Sequence, residues 1–199
     1  MEEYRIFGFP IRTYVLDYFE ENSIDDLITC LKNEKIVHEE SHNKTGFWSS
    51  DQEIFKSLNL ESLSAEVLSC VQDYSKTESH IVDDIKIVSS WFNILQPDQY
   101  IEPHVHLNSY ISGTIHLNEG GNLFFRKPSV ESVYQLHCDI KDTDSQFIEY
   151  TPQPGSLILF PSTLSHGVYP HNKEDARFSL AFNTWPRVFG GSTRYVNLR

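Results

Sequence analysis

Arg177-Phe-Ser-Leu-Ala-Phe-Asn183 alternates two kinds of side chain: Arg177, Ser179, Ala181 and Asn183 are polar or small, and Phe178, Leu180 and Phe182 are bulky and apolar. A strand sends successive side chains to opposite faces, so this segment has one face built to pack and one built to bind. The apolar face calls for a layer of helices over it. A polar face turned inward is what a barrel needs in order to hold a site.

Working outward from this strand, period-two patterning takes over after about Ile81. It predicts strands over Ile85–Leu95, Tyr100–His106, Tyr110–Leu117, Asn122–Arg126, Phe147–Tyr150, Ser156–Phe160, His166–Tyr169 and Arg177–Thr184. Turns fall at Gln96-Pro-Asp98, Asn118-Glu-Gly-Gly121, Pro152-Gln-Pro-Gly155 and His171-Asn-Lys-Glu-Asp175. About eight short strands at this spacing predict a sandwich or jelly-roll barrel rather than alternating βαβ units.

The N-terminal part reads differently. Tyr4 to Pro10 is expected to form a short edge strand. A helix is expected to start at Asn22-Ser23, with Asp25 and Asp26 in its first turn, where carboxylates suit the helix dipole. Ile24, Leu27, Ile28 and Leu31 recur at the spacing of a core-facing stripe. A second helix is expected from about Leu60 to Tyr74, and His38 to Asp51 reads as an ordered loop. The expected organisation of the 199 residues is one domain. Residues 1–80 would be a helical support, 81–186 a β core and 187–199 a C-terminal tail.

The formal charge of −12 disfavours sequence-independent binding to nucleic acid, which needs a basic surface. Arg187, Arg194 and Arg199 near the C-terminus read as a solvated tail. Cys30, Cys70 and Cys138 are odd in number and widely spaced, and Cys30 and Cys70 are expected on apolar helix faces as free thiols. That usage, with no signal-peptide pattern and no stretch long enough to span a bilayer, predicts a soluble cytoplasmic protein.

His104 and His106 stand two residues apart in Glu102-Pro-His-Val-His-Leu-Asn-Ser109. On an extended segment their imidazoles point to the same side and can share a metal ion. His166 lies 62 residues after His104, and Arg177 follows 11 residues later. Three histidines with no cysteine placed to join them suit a first-row divalent metal with open coordination positions. An arginine nearby offers a planar fork for a carboxylate. Asn108, Ser112, Thr114, His116, Ser179 and Asn183 are candidates for orienting a co-substrate or substrate, and Ser112, Thr114 and His116 share one strand face. Trp91 and Trp185 are assigned to packing, and His38, His42, His80 and His137 read as surface or hydrogen-bonded side chains without a role in the site.

From about Ile85 to Asn183 the chain resembles the Fe(II)/2-oxoglutarate-dependent dioxygenases, in the group related to prolyl 4-hydroxylase domains. The elements that carry the resemblance are Trp91-Phe-Asn-Ile94, His104-Val-His-Leu-Asn-Ser-Tyr-Ile-Ser-Gly113, Gly120-Gly-Asn-Leu-Phe-Phe125, Pro154-Gly-Ser-Leu-Ile-Leu-Phe-Pro-Ser162, His166-Gly-Val168 and Arg177-Phe-Ser-Leu-Ala-Phe-Asn183. Ile6-Phe-Gly-Phe-Pro10 agrees with that group's N-terminus.

The resemblance implies a double-stranded β-helix, a cupin-like jelly roll with helices covering one sheet. It implies Fe(II), O2 and 2-oxoglutarate, with His104 and His166 as iron ligands and Arg177 on the co-substrate's distal carboxylate. The reaction implied couples oxidative decarboxylation of 2-oxoglutarate to C–H oxidation, commonly hydroxylation, of a small molecule or protein side chain. One position departs from the pattern. The wider superfamily carries an acidic residue two places after the first histidine, and here that place holds His106. Either His106 ligates, giving a three-histidine set, or it stands outside and water completes the coordination. A three-histidine dioxygenase that does not use 2-oxoglutarate and a non-catalytic jelly-roll module remain as alternatives.

Overall fold

The computed structural model describes residues 1–6, 8–33, 38–40, 47–49, 51–78, 84–128, 147–191 and 194–197. Two antiparallel sheets face each other. The larger runs β1 (Glu2–Ile6), β2 (Phe9–Val15), β10 (Ser156–Pro161), β7 (Ile111–His116), β12 (Arg177–Pro186), β5 (Ile85–Leu95), β4 (Phe47–Ser49), β3 (His38–Glu40). The smaller runs β6 (Ile101–His104), β11 (His166–Val168), β8 (Leu123–Arg126), β9 (Phe147–Tyr150). Every ladder between these strands is antiparallel. This is the expected jelly-roll barrel, mainly β, with helices over one sheet.

Alternation assigns the two faces of the larger sheet as expected. Phe178, Leu180 and Phe182 of β12 join Leu157, Leu159, Phe92 and Ile115 in a core beneath the helices. Ile158 and Phe160 of β10 point the other way and meet Leu95, Leu123, Phe125, Leu164 and Val168 between the sheets. Each fully buried side chain of this size contributes about 1.5–3 kcal/mol. Gly113 is required where β7 meets β12, because a Cβ there would stand 2.3 Å from Cζ of Phe182.

The helical layer consists of α1 (Tyr18–Glu21), α2 (Ile24–Asn33), α3 (Ile54–Ser57) and α4 (Glu61–Glu78). Ser23 starts α2 by accepting the Asp26 amide at 3.2 Å, and Leu27, Ile28 and Leu31 are buried. Leu63, Val67, Val71 and Tyr74 form the buried stripe of α4. The Glu66 carboxylate accepts the main-chain N–H of Asp17 at 2.6 Å and of Tyr18 at 3.0 Å, pinning α1 to α4. No helix among the described residues is long and apolar enough to cross a membrane.

Several details differ from expectation. The single edge strand at Tyr4–Pro10 is instead a hairpin of β1 and β2, reversed at Gly8 with φ 81°. β2 then continues to Val15 and pairs with β10, so of these two strands β1 alone lies at the sheet's edge. Within the expected loop, β3 and β4 pair, and β4 takes its register from β5. Three residues are too few to show a period, so these strands exist through their neighbour. The expected tail contains the hairpin of β13 (Val188–Gly191) and β14 (Arg194–Asn197), and Arg187 pairs with Asp84 at 3.2 Å. Cys30 is exposed, off the Leu27–Leu31 stripe, rather than buried. Cys70 is half-buried, and burial followed by nearby Glu66, Asp73 and Asp17 pushes its thiol up to about 11. Cys138, the side chains of His38, His42, His80 and His137, and residues 129–146 between β8 and β9 lie outside the described residues.

Candidate active site

The 62 residues between His104 and His166 are spanned by one step of an antiparallel ladder. His104 ends β6, His166 begins β11, and the two are register partners. His106 lies two residues beyond the strand, where its main-chain N–H donates to Ser162 O at 3.0 Å and fixes the entering loop. The extended path keeps both imidazoles of the pair on one side. One ligand atom from each of the three histidines lies within 4.8 Å of the others.

The hydrogen bonds decide which nitrogens are available. His104 donates Nδ1–H to Glu102 O at 2.8 Å, and His166 donates Nδ1–H to Leu164 O at 2.9 Å. Each therefore presents a bare Nε2 lone pair. Nδ1 of His106 faces Oδ1 of Asn183 at 2.5 Å, which leaves its Nε2 bare as well. Nε2 of His104 and Nε2 of His106 stand 3.0 Å apart. Two lone pairs at that distance repel unless a cation lies between them. Two nitrogens about 2.1 Å from one ion at a right angle would be about 3 Å apart, so the donor set fits a divalent metal.

Burial, then the neighbouring His104 and His106, holds His166 well below the ordinary histidine range. Burial also lowers His106, opposed by its bond to Asn183 and assisted by His104. Both imidazoles are neutral at neutral pH, as metal ligation requires.

Arg177 begins β12 with a side chain 1% exposed. The turn between β7 and β8 covers it closely. A Cβ on Gly120 would lie 3.3 Å from Cβ of Arg177, and Gly121, with φ +59°, sits against Tyr169 O. Asn118 locks this turn to β12 by donating to Ala176 O and accepting the Phe178 N–H, both at 2.7 Å. The guanidinium donates Nη1–H to Ser179 Oγ at 3.0 Å and Nη2–H to Nδ1 of His116 at 3.1 Å. No carboxylate among the described residues pairs with it, and its Nε–H has no acceptor. Burial pulls Arg177 down to about 10, so it still carries its charge at neutral pH.

His116 is fully buried, and accepting from Arg177 at Nδ1 puts its proton on Nε2. That Nε2–H also has no partner among the described residues. Burial, then the Arg177 charge, holds His116 well below the ordinary range, so it stays neutral. Two unpaired buried donors beside a buried positive charge each cost about 1–3 kcal/mol unless an acceptor meets them. An anion with two acceptor oxygens is the chemistry that satisfies both.

The remaining sequence candidates fall in different places. Ser179 bonds Arg177, whereas Ser112 and Asn183 bond the His106 side. Thr114 lies on the same inner face of β7, opposite Ala181. Asn108 is exposed in a left-handed turn (φ 59°), with no side-chain hydrogen bond to the histidines or Arg177 among the described residues. Trp91, expected only to pack, is half-buried with its ring 5.6 Å from that of His106, so it forms part of the site wall. The register that sets it opposite Ala181 on the polar face of β12 is a relation between strands that the local sequence does not carry. Ser162 and Ser109, which the sequence did not single out, are buried behind His106.

Residues 89–183 match the model of the family described as "Putative 2OG-Fe(II) oxygenase". No curated protein matches the chain by sequence. Among solved structures, HygX from Streptomyces hygroscopicus with nickel and 2-oxoglutarate bound is similar at a TM-score of 0.63 and 13% identity, covering 90% of this chain and 83% of that one. The epimerase SnoN from nogalamycin biosynthesis, described as a non-heme alpha-ketoglutarate-dependent enzyme, gives a TM-score of 0.63 at 9% identity, covering 95% and 86%. An oxidoreductase of the 2OG-Fe(II) oxygenase family from Burkholderia pseudomallei gives 0.60 at 12% identity, covering 87% and 83%. At these identities the structures share the fold.

Proposed function

We propose, from the premise that residues 89–183 belong to the 2OG-Fe(II) oxygenase family, that this enzyme is an Fe(II)- and 2-oxoglutarate-dependent dioxygenase acting on a small molecule. His104, His106 and His166 hold the metal through Nε2. Arg177 takes the distal carboxylate of 2-oxoglutarate. The observation that carries the reading is the pairing of two incomplete groups in one barrel. Three imidazoles converge with Nε2 atoms free of protein partners other than each other, and a buried guanidinium has no carboxylate partner among the described residues.

Bound iron and 2-oxoglutarate supply the oxidising chemistry: one O2 converts 2-oxoglutarate to succinate and carbon dioxide and turns a substrate C–H into C–OH. The chain's own residues bind and orient. Glu102 O and Leu164 O hold two imidazoles in the ligating tautomer, Arg177 fixes the co-substrate's far end, and Phe125 and Phe160 pack beside His166. HygX has also been crystallised with hygromycin B, and SnoN with nogalamycin RO. Those relatives in fold and the net charge of −12 both support a small-molecule substrate over nucleic acid.

The test is an anaerobic titration with Fe(II) and 2-oxoglutarate, which should give the visible charge-transfer band of the chelate. Arg177→Ala should lose the band at matched 2-oxoglutarate while still binding Fe(II). Iron binding with no effect of 2-oxoglutarate would favour a three-histidine dioxygenase that does not use it. No iron binding would leave a non-catalytic module.

A further inference from the structure

Behind His106 a line of buried polar side chains runs into the barrel wall. Oδ1 of Asn183 lies 2.5 Å from Nδ1 of His106 and 2.8 Å from Oγ of Ser112. Oγ of Ser112 lies 2.7 Å from Oγ of Ser162, which lies 2.7 Å from Oγ of Ser109. Ser112 and Ser162 are fully buried and Ser109 nearly so.

A hydroxyl has one proton to give, which imposes a direction on this line. The amide oxygen of Asn183 accepts from His106 Nδ1–H and from Ser112 O–H. With its proton committed, Ser112 accepts from Ser162, and Ser162 accepts from Ser109. In this direction all three hydroxyl protons point toward Asn183, and Ser109 gives its proton to Ser162 at 2.7 Å in preference to its longer contacts with Thr184 O at 3.4 Å and Ile111 O at 3.5 Å. The reverse arrangement turns the Asn183 amide so that its NH2 donates to Nδ1 of His106. The imidazole proton would then sit on Nε2, where a metal cannot bind.

His104 and His166 have no such alternative. Their acceptors are main-chain carbonyls two residues earlier, which only accept. His106 depends on a side chain that could face either way. β12 presents Asn183 opposite Ser112 of β7, which is why the contact spans the sheet rather than the local chain.

We infer that Asn183, oriented by the Ser112–Ser162–Ser109 hydroxyl line, is the positioning residue that makes His106 a metal ligand. The inference rests on the reading that the three histidines bind the metal. It explains how a histidine works where an acidic residue was expected: the acceptor that fixes its tautomer is supplied from another strand. Asn183 and Ser112 then serve the metal rather than the co-substrate.

The test uses the full chain, Co(II) under anaerobic conditions as the probe, and nitrogen-15 histidine spectra of the metal-free protein. The parent should show His106 as the Nδ1–H tautomer and bind Co(II) with a distinct visible spectrum. Asn183→Leu should lose the tautomer preference and weaken Co(II) binding about 10–100-fold. Asn183→Asp keeps an acceptor at both bonds and cannot reverse, so it should bind at least as tightly as the parent. Ser112→Ala should fall between. The inference is overturned if Asn183→Leu keeps both tautomer and affinity, or if Asn183→Asp loses affinity as far as Asn183→Leu does. Parent protein that binds no Co(II) would refute the functional reading, while the tautomer spectra would still decide whether Asn183 orients His106.

Discussion

The two ends of the polar inner face are built on opposite principles. At the histidine end every group is prepared before anything binds: each Nδ1 has its acceptor, and His106 and His166 are held neutral. At the arginine end the charge is already buried, but two donors lack acceptors among the described residues. The first end gains by binding a cation at atoms already aimed. The second is held under electrostatic stress that an anion relieves.

Removing a ligand should break the histidine end most severely. His166→Ala is expected to weaken Fe(II) binding by more than about 100-fold, measured by anaerobic titration. Unchanged affinity would remove His166 from the metal set. Next in size is Arg177→Met, which separates binding from stability. It should weaken 2-oxoglutarate about 10–100-fold, from the 1.5–3 kcal/mol of a charged hydrogen bond. Without co-substrate its melting temperature should match or exceed that of the parent, because an unpaired buried charge is gone. A large loss of stability would mean that the guanidinium is satisfied as it stands.

His116→Leu sharpens the same end. Removing its Nε2–H should weaken 2-oxoglutarate by roughly 5–10-fold, about one hydrogen bond, and leave Fe(II) affinity unchanged. An effect on iron alone would place His116 at the other end.

The smallest effect is on pH. His116 and His166 are held below the ordinary range when folded, whereas the unfolded chain takes up protons near about pH 6.5. Stability of the metal-free protein should therefore be full above that pH and fall as pH drops through it. The slope is at most about 1.4 kcal/mol per pH unit for each histidine. Urea midpoints across that range measure it, and His116→Leu should flatten the slope. A flat profile in the parent would show that neither imidazole resists protonation.

Much of this was legible in the chain. Alternation in Arg177–Asn183 assigned the inner and outer faces of β12, and the core beneath the helices follows it residue by residue. His104, His106 and His166 were visible as a set because metal chemistry restricts residue type and local spacing. Trp91 was legible only as a large aromatic, since nothing local says that its face is shared with Ala181. β3 and β4 carried no period because they are short and borrow their order from β5.

By itself the sequence determined the residue types of the site, the alternation that separates core from cavity, and the departure at His106. Those are properties of adjacent residues, and periodicity and side-chain chemistry are enough to read them. Only the tertiary structure decided that Asn183 belongs to His106, that Ser162 and Ser109 stand behind it, and that Arg177 is buried with no carboxylate beside it among the described residues. Each of those is a relation between strands far apart in the chain. Hydrogen-bond partners and electrostatic stress are set by distances that exist only once the barrel has closed.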